Sequence, residues 1–167
     1  MNQLRHLQSD DARTDEKNLS GAVVRPPLLM NPEKRSTTMS RSRSNADPDD
    51  ILEFAIECAR ALSDDRTEDV VLLDVRGLSQ VSDYVLLGSG SSERQMKSAA
   101  QAVEDIGKAQ GNPPFKSTKD TGTTWILVDF VETVVHLFEP EHRLYYDLES
   151  LWQEGRQIDW ERPEVSS

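Results

Sequence analysis

The stretch at residues 69–95 constrains the fold most, because it joins two apolar runs to a Gly-Ser loop and the start of a helix. Residues 70–73 and 84–87 are apolar without alternation, a pattern typical of strands that are covered on both faces. A Gly-Ser-Gly loop follows the second run. Ser92 and Gln95 then fit a capping box, in which the hydroxyl accepts from a helix amide and the glutamine reaches back. The stretch therefore predicts a sheet that leads into a helix, a junction where α/β proteins usually place their functional sites.

The rest of the chain predicts helices and strands on both sides of this junction. Asp47 and Pro48 fit an N-cap and a first helical residue, and apolar residues then recur at helical spacing. The predicted elements, in order, are a helix at 48–63, strands at 69–75 and 84–88, a helix at 93–109, a short edge strand at 115–117, strands at 125–130 and 133–138, and a last helix. Gly155 is predicted to end that helix. Its single apolar face is predicted to carry Leu144, Tyr145, Leu148, Leu151 and Trp152.

Residues 125–138 predict a β-hairpin whose two faces differ in composition. With a two-residue turn at 131–132, one face is almost wholly apolar and is predicted to be core: Ile126, Val128, Phe130, Thr133, Val135 and Leu137. The other face mixes aromatic rings with polar groups: Trp125, Leu127, Asp129, Val134, His136 and Phe138. This mixture predicts a face that is wet or covered by a partner.

Composition divides the chain into an arm at residues 1–47, an ordered domain at 48–155 and a polar tail at 156–167, with Ile158 and Trp160 as anchors. The arm is rich in Arg, Ser and Asn, contains prolines and is predicted to be disordered. It carries 8 Lys or Arg and 6 Asp or Glu, whereas the remainder carries 11 and 24. A domain this acidic repels the phosphate backbone of nucleic acids. We therefore expect a basic protein as partner and no direct sequence-specific binding of nucleic acid. The same acidity would also keep the protein soluble.

Cys58 is the only cysteine, so the chain cannot form an internal disulfide. Its place on the apolar stripe of the first helix predicts a core residue and not a nucleophile. No apolar run approaches the roughly 18–20 residues that span a bilayer. The N-terminal residues contain no hydrophobic signal core and include acidic residues, which transit peptides avoid. We therefore expect a cytoplasmic protein with no membrane partner.

The Gly-Ser loop resembles the loops of phosphate-binding enzymes, but other parts of such sites are missing. It lacks the Gly-Lys-Ser/Thr of a P-loop and the third glycine of a dinucleotide site. Nucleotidyltransferases hold magnesium with two carboxylates that lie one residue apart on the next strand, and no Asp-x-Asp follows the loop here. Glu104 and Asp105 are adjacent on a predicted helix, so their side chains diverge. His6, His136 and His142 do not form a metal-binding pattern. The residues predict no enzyme, no metal and no cofactor, and the alternative is a nucleotidyltransferase-like nucleotide-binding protein or enzyme.

Three motifs in order give the domain a family resemblance. They are DYxxxxSGxSxRQ at residues 83–95, WxxxDxxxxVVHxF at 125–138 and YDLExLW at 146–152. In this combination residues 48–154 resemble the Iojap-type ribosomal silencing factors. The resemblance implies a single α/β domain with a mixed β-sheet packed with helices, a nucleotidyltransferase-like fold without the catalytic carboxylates. It also implies binding to the large ribosomal subunit through ribosomal protein L-fourteen, which blocks docking of the small subunit and lowers translation when nutrients are short.

The resemblance further implies which residues bind the partner. These candidates are Tyr84, Ser92, Arg94 and Gln95 at the junction, Trp125, Asp129, His136 and Phe138 on the hairpin, and Tyr145, Tyr146 and Asp147 near the end of the domain. Each also has a structural interpretation, such as capping by Ser92. The family usually has glycine in the hairpin turn, where this chain has Val131, a β-branched residue that resists a positive φ. Whether the free protein forms a homodimer is left open, and an adaptor that dimerises and binds another basic protein is a further alternative.

Overall fold

In a computed structural model, which describes residues 43–165, the chain forms four helices and six strands. In chain order they are α1 (Pro48–Asp64), β1 (Glu68–Asp74), β2 (Tyr84–Ser89), α2 (Glu93–Ala109), β3 (Lys116–Thr118), β4 (Trp125–Asp129), β5 (Thr133–Phe138), α3 (Pro140–Tyr146), α4 (Leu148–Leu151) and β6 (Arg156–Gln157). Up to β5 these bounds agree with the predicted ones to within one residue. Residues 1–42 of the predicted disordered arm lie outside the described residues.

The six strands form one sheet in the order β3-β4-β5-β2-β1-β6. β2 and β5 run parallel at its centre, and the other neighbouring pairs are antiparallel. The connection from β2 to β5 is long, as a parallel pair requires, and it contains α2. The predicted α/β class, with a mixed sheet packed with helices, is therefore confirmed.

Each face of the sheet has its own hydrophobic core. α1 and α2 cover one face, where Phe54 of α1 and Leu86 of β2 are buried. On the opposite face Val85 and Leu87 of β2 are buried together with Leu148 of α4. Because neighbouring residues of a strand point to opposite faces, β2 contributes to both cores, which explains its unbroken apolar run.

The starts of α1 and α2 show which of the predicted caps form. The Asp47 carboxylate accepts from the Asp49 amide at 2.9 Å, and proline takes the first helical position. The Ser92 hydroxyl accepts from the Gln95 amide at 3.1 Å. The predicted return contact from the Gln95 side chain to the backbone of Ser92 is wrong. The Gln95 side chain instead donates to the Asp65 carbonyl at 2.8 Å. Gln95 therefore ties the start of α2 to the end of α1.

β4 and β5 form the predicted hairpin in the predicted register, with Trp125 opposite Phe138 and Leu127 opposite His136. The face predicted to be core is buried, which confirms that part of the prediction. The expectation that the other face is wet or partner-covered is wrong, because this chain itself buries all six residues: Trp125, Leu127, Asp129, Val134, His136 and Phe138. The reason is that the chain after β5 folds back over this face and contributes Leu148 to its core.

The turn between β4 and β5 places Val131 at a φ of 77°. The Glu132 amide donates to the Phe130 carbonyl at 3.1 Å, so Val131 is the central residue of a γ-turn of the strained type. The Asp129 carboxylate accepts from the Val131 amide at 2.8 Å and helps to hold this conformation. The hairpin thus keeps its register without glycine, and a β-branched residue carries the backbone strain.

We expect Val131→Gly to raise the free energy of unfolding by about 1 kcal/mol. Strain of this kind costs roughly 1–3 kcal/mol, and glycine removes it while adding some conformational entropy to the unfolded chain. Chemical denaturation of the two proteins measures the difference. Val134→Gly in β5 is the control, because a buried strand residue without this strain should only lose stability. A comparable loss in both variants would contradict the strained turn.

The predicted last helix is interrupted. It consists of α3 and α4, and Asp147 between them is left-handed, with a φ of 47°. Because of this break the apolar residues do not share one buried face. Leu148 is buried, whereas three others are exposed: Leu144, Tyr145 and Leu151. The prediction of a single apolar face that ends at Gly155 is therefore wrong.

Residues beyond α4 are part of the fold. β6 pairs with β1 at one edge of the sheet. Ile158 is buried and the Trp160 indole donates to the Val70 carbonyl at 3.2 Å, which confirms both predicted anchors. Arg60 of α1 donates to the Trp160 carbonyl at 2.8 Å. Across residues 43–165, no helix has both the length and the apolar character needed to cross a membrane.

Candidate functional site

Three large apolar side chains of α3 and α4 are exposed. Leu144 is 81% exposed, Tyr145 73% and Leu151 59%. Exposed apolar groups concentrated in one short segment are characteristic of protein-binding surfaces, where a few large side chains supply most of the binding energy. We call these three residues the α3–α4 surface.

The segment that carries the α3–α4 surface is acidic. Between residues 139 and 154 it contains five carboxylates: Glu139, Glu141, Asp147, Glu149 and Glu154. Arg143 is the only Lys or Arg in the same segment, and it is buried. Apolar groups among carboxylates are complementary to a basic protein that offers an apolar pocket.

Aromatic rings of the hairpin pack against Tyr146, which is the neighbour of Tyr145 in the α3–α4 surface. The Tyr146 ring centre lies 4.4 Å from that of Trp125 and 6.1 Å from that of Phe138. The exposed Tyr145 ring stands edge-on to Tyr146, with 5.2 Å between the ring centres. Tyr146 therefore joins the core while Tyr145 faces solvent. The exposed Tyr145 ring rests on a group of packed rings that we call the aromatic base: Tyr146, Trp125, Phe138 and His136.

His136 belongs to this aromatic base. The Trp125 indole donates to His136 Nδ1 at 3.1 Å, so the ring accepts there and is neutral. The imidazole is completely buried, and burial lowers the pKa of His136 from 6.5 to about 3. These contacts give His136 a structural role in holding Trp125.

This burial predicts that stability falls as the solution becomes acidic. The unfolded chain binds a proton at His136 below pH 6.5, whereas the folded chain does not until about pH 3. The free energy of unfolding should therefore decrease by roughly 1.4 kcal/mol per pH unit between these values from this group alone. Denaturation of the wild type and of His136→Gln across this range isolates the effect, because glutamine can accept from Trp125 and does not titrate. Parallel pH profiles for the two proteins would contradict the buried neutral histidine.

Arg143 anchors α3 to the sheet. Its guanidinium donates to the Asp69 carbonyl at 2.6 Å and to the Ser89 hydroxyl at 3.0 Å, and it pairs with Glu149 at 2.7 Å. Asp69 lies where the pairing of β1 with β2 is irregular, with a φ of 49°. Sequence reasoning missed Arg143, although the only Lys or Arg in an acidic segment was a signal that could have marked it.

The junction between β2 and α2 is divided between core and surface. Tyr84 is buried, with the Arg76 guanidinium 5.4 Å from its ring centre, and burial raises the pKa of its hydroxyl. Ser92 and Arg94 are exposed, and Gln95 is half-buried. Of the four candidates at the junction, Ser92 and Arg94 are thus the ones that present side chains to solvent, and Tyr84 is a core residue.

Close packing requires the glycines of the junction. A Cβ atom on Gly88 would collide with Thr67, and one on Gly90 would collide with Met96. The Gly90 amide donates to the Phe138 carbonyl at 2.8 Å. This amide is therefore already paired within the fold. Gly90 allows α2 to approach the sheet closely, and Gly88 leaves room for Thr67 after α1.

The predicted site residues fall into groups on opposite faces of the sheet. Three lie at the start of α2, which covers one face: Ser92, Arg94 and Gln95. Five come together on the other face: Trp125, His136, Phe138, Tyr145 and Tyr146. Asp147 is exposed between α3 and α4, while Tyr84 and Asp129 are buried. Leu144 and Leu151 were missed, because helical spacing had assigned them to a buried face.

Known proteins match the chain in sequence and in structure. Residues 48–167 match the model of the family described as "Ribosomal silencing factor during starvation" (RsfS). The ribosomal silencing factor RsfS of Bacillus subtilis is 37% identical over 109 residues, which cover 65% of this chain and 90% of that protein. A crystal structure of a Chromobacterium violaceum protein is 33% identical, with a TM-score of 0.58, over 68% of this chain and 92% of that one. The mouse "Mitochondrial assembly of ribosomal large subunit protein 1" is 28% identical over 127 residues, or 72% of this chain and 56% of that protein.

Proposed function

The chain belongs to the ribosomal silencing factor family, and we propose on that basis that it binds the large ribosomal subunit and represses translation. The proposed docking partner is ribosomal protein L-fourteen, and the proposed effect is that the small subunit can no longer join. The name of the mouse relative, which refers to assembly of the large subunit, supports the choice of subunit.

The observation that carries this proposal is the α3–α4 surface with its acidic surroundings. Leu144, Tyr145 and Leu151 supply apolar area that the described part of the chain leaves exposed. Proteins that bind ribosomal RNA are basic, so an acidic rim favours them over the RNA itself. Docking through the α3–α4 surface would therefore direct the domain to a ribosomal protein.

Blocking a subunit interface requires bulk and a rigid attachment, and it requires no chemistry. The aromatic base and the buried Arg143 fix α3 against the sheet, so little order has to be gained on binding. The silencing factors are a regulatory family, and His136 and the Gly90 amide have structural partners of their own. These contacts support a role without catalysis.

Co-sedimentation with isolated subunits tests the proposal. The full chain is mixed separately with purified large and small subunits and pelleted, and we expect it in the pellet of the large subunits alone. Recovery should decrease between about 0.1 M and 0.5 M salt, because added ions screen an acidic surface from a basic one. Large subunits that lack L-fourteen should not retain the chain. Equal recovery with both subunits, or with subunits that lack this protein, would contradict the assigned partner.

A further inference from the structure

A cavity of about 470 Å³ lies between the first turns of α1, the end of α2 and the turn after β4. Its volume is in the range of pockets that bind small molecules. It is on the side of the sheet covered by α1 and α2, whereas the α3–α4 surface belongs to the opposite side. Any ligand of this cavity would therefore be independent of the proposed ribosomal contact.

The charged groups among the described residues of this cavity wall are all carboxylates. Asp50, Glu53 and Glu57 line it from α1, at positions i, i+3 and i+7 of one helical face, and Glu132 lines it from the hairpin turn. Among the described residues that line it, none is Lys, Arg or His. Like charges three or four residues apart destabilise a helix, so a cation in the cavity would relieve a repulsion.

Neutral groups donate to two of these carboxylates, and among residues 43–165 no ion pair with Lys or Arg is formed by Asp50, Glu53, Glu57 or Glu132. The Ser44 amide donates to Glu132 Oε1 at 2.5 Å, and the Gln110 amide group donates to Glu57. Residues 110–112, at the end of α2, also line the cavity. The carbonyl end of a helix carries partial negative charge, which again favours a cation.

Thr133 provides a second, independent observation that points to a ligand. It lines the cavity and is 1% exposed, and its hydroxyl has no hydrogen-bond partner among the described residues. A buried hydroxyl without a partner is costly, and a bound donor would satisfy it. An ammonium group is such a donor.

We propose that this cavity binds a linear aliphatic polyamine. Asp50 and Glu57 are seven residues apart, about 10 Å along the helix axis, which suits ammonium groups spread along an extended chain. Ile51 and Phe54 lie between them on the cavity wall and offer apolar contact to the methylene groups. Thr133 Oγ1 accepts from one ammonium group.

Calorimetric titration of the full chain with spermidine, at constant ionic strength, tests this site. We expect saturable binding with one molecule per chain, and roughly tenfold weaker binding in Glu53→Gln/Glu57→Gln. The matched control is Asp105→Asn/Glu154→Gln, which changes the net charge equally at exposed positions outside the cavity, and it should alter the affinity less than twofold. A similar loss in both double variants would overturn the site, because the binding would then follow total charge.

Thr133→Val separates a binding role from a structural one. Valine has the same shape without the hydroxyl, so the variant should be at least as stable as the wild type in the absence of spermidine. Its affinity for spermidine should be roughly tenfold lower. No detectable binding of spermidine to the wild type, or an unchanged affinity in this variant, would overturn the proposal.

Discussion

Replacing Leu144 and Tyr145 together by aspartate is expected to weaken binding to the large ribosomal subunit by about 100-fold or more. Interface residues of this type contribute roughly 2–4 kcal/mol each, and the new charges would also have to be desolvated on docking. Both side chains are largely exposed in the free protein, so the two substitutions together should change its stability by no more than about 1 kcal/mol. Equilibrium binding to purified large subunits and chemical denaturation measure the two effects.

Val165→Asp is the matched control for this double variant. Val165 is 91% exposed and apolar, and it lies outside α3 and α4. The same kind of substitution there should leave binding to the large subunit within about twofold of the wild type, as expected for a neutral position. If the Leu144 and Tyr145 variant binds as tightly as this control, the α3–α4 surface is not the docking surface.

Arg143→Met is expected to lower the free energy of unfolding by about 3 kcal/mol. The variant leaves the Asp69 carbonyl and the Ser89 hydroxyl without their donor, and Ser89 is buried. The loss of the ion pair contributes less, because the Glu149 side chain is 39% exposed and water can solvate it. Methionine retains much of the packing volume, so the change reports mainly on polar contacts.

The loss should be concentrated in α3. Hydrogen exchange in Arg143→Met should accelerate at α3 amides before it does so in α2, because Arg143 connects α3 to β1 and β2. Arg162→Met is the matched control, since Arg162 pairs with Asp64 at an exposed position and such pairs contribute little. Equal loss of stability in the two variants would contradict the anchoring role of Arg143.

Apolar spacing predicted most of the fold. The unbroken run at 84–87 indicated a strand between two cores. A two-residue turn at 131–132 predicted the hairpin register that pairs Trp125 with Phe138. These features depend on which face of an element is apolar, and the order of residue types along the chain records that directly. Val131 did not disturb the register, because Asp129 and a γ-turn accommodate it.

Contacts between elements distant in sequence account for the errors. The hairpin face with His136 was expected to be wet or covered by a partner because it mixes aromatic rings with polar groups. Instead, the Trp125 indole donates to the imidazole, and the segment with α3 and α4 covers this face. Gln95 was expected to complete a local capping box and instead reaches Asp65 of the preceding helix end. The hydrogen-bond partners of His136 and Gln95 are set by how the elements pack together. The spacing of apolar residues along a helix or strand contains no information about that packing.

The candidate surface was predicted only in part. Tyr145, Leu144 and Leu151 were all placed on one apolar helical face, and all three are exposed. Only Tyr145 was also selected as a site residue, through the family resemblance. The left-handed Asp147 breaks that helix and changes which residues face solvent. An aspartate in this conformation has no strong signature in a single sequence, so periodicity alone predicted an uninterrupted helix.

Light scattering can follow subunit joining and show whether the bound chain keeps the small subunit from docking. Large subunits are first incubated with the full chain, and small subunits are then added. Wild-type protein in excess should suppress the increase in scattering, and the variant with aspartate at positions 144 and 145 should leave it unchanged. Undiminished joining by large subunits that carry the bound wild-type chain would contradict the account, because the chain would then bind the ribosome without blocking it.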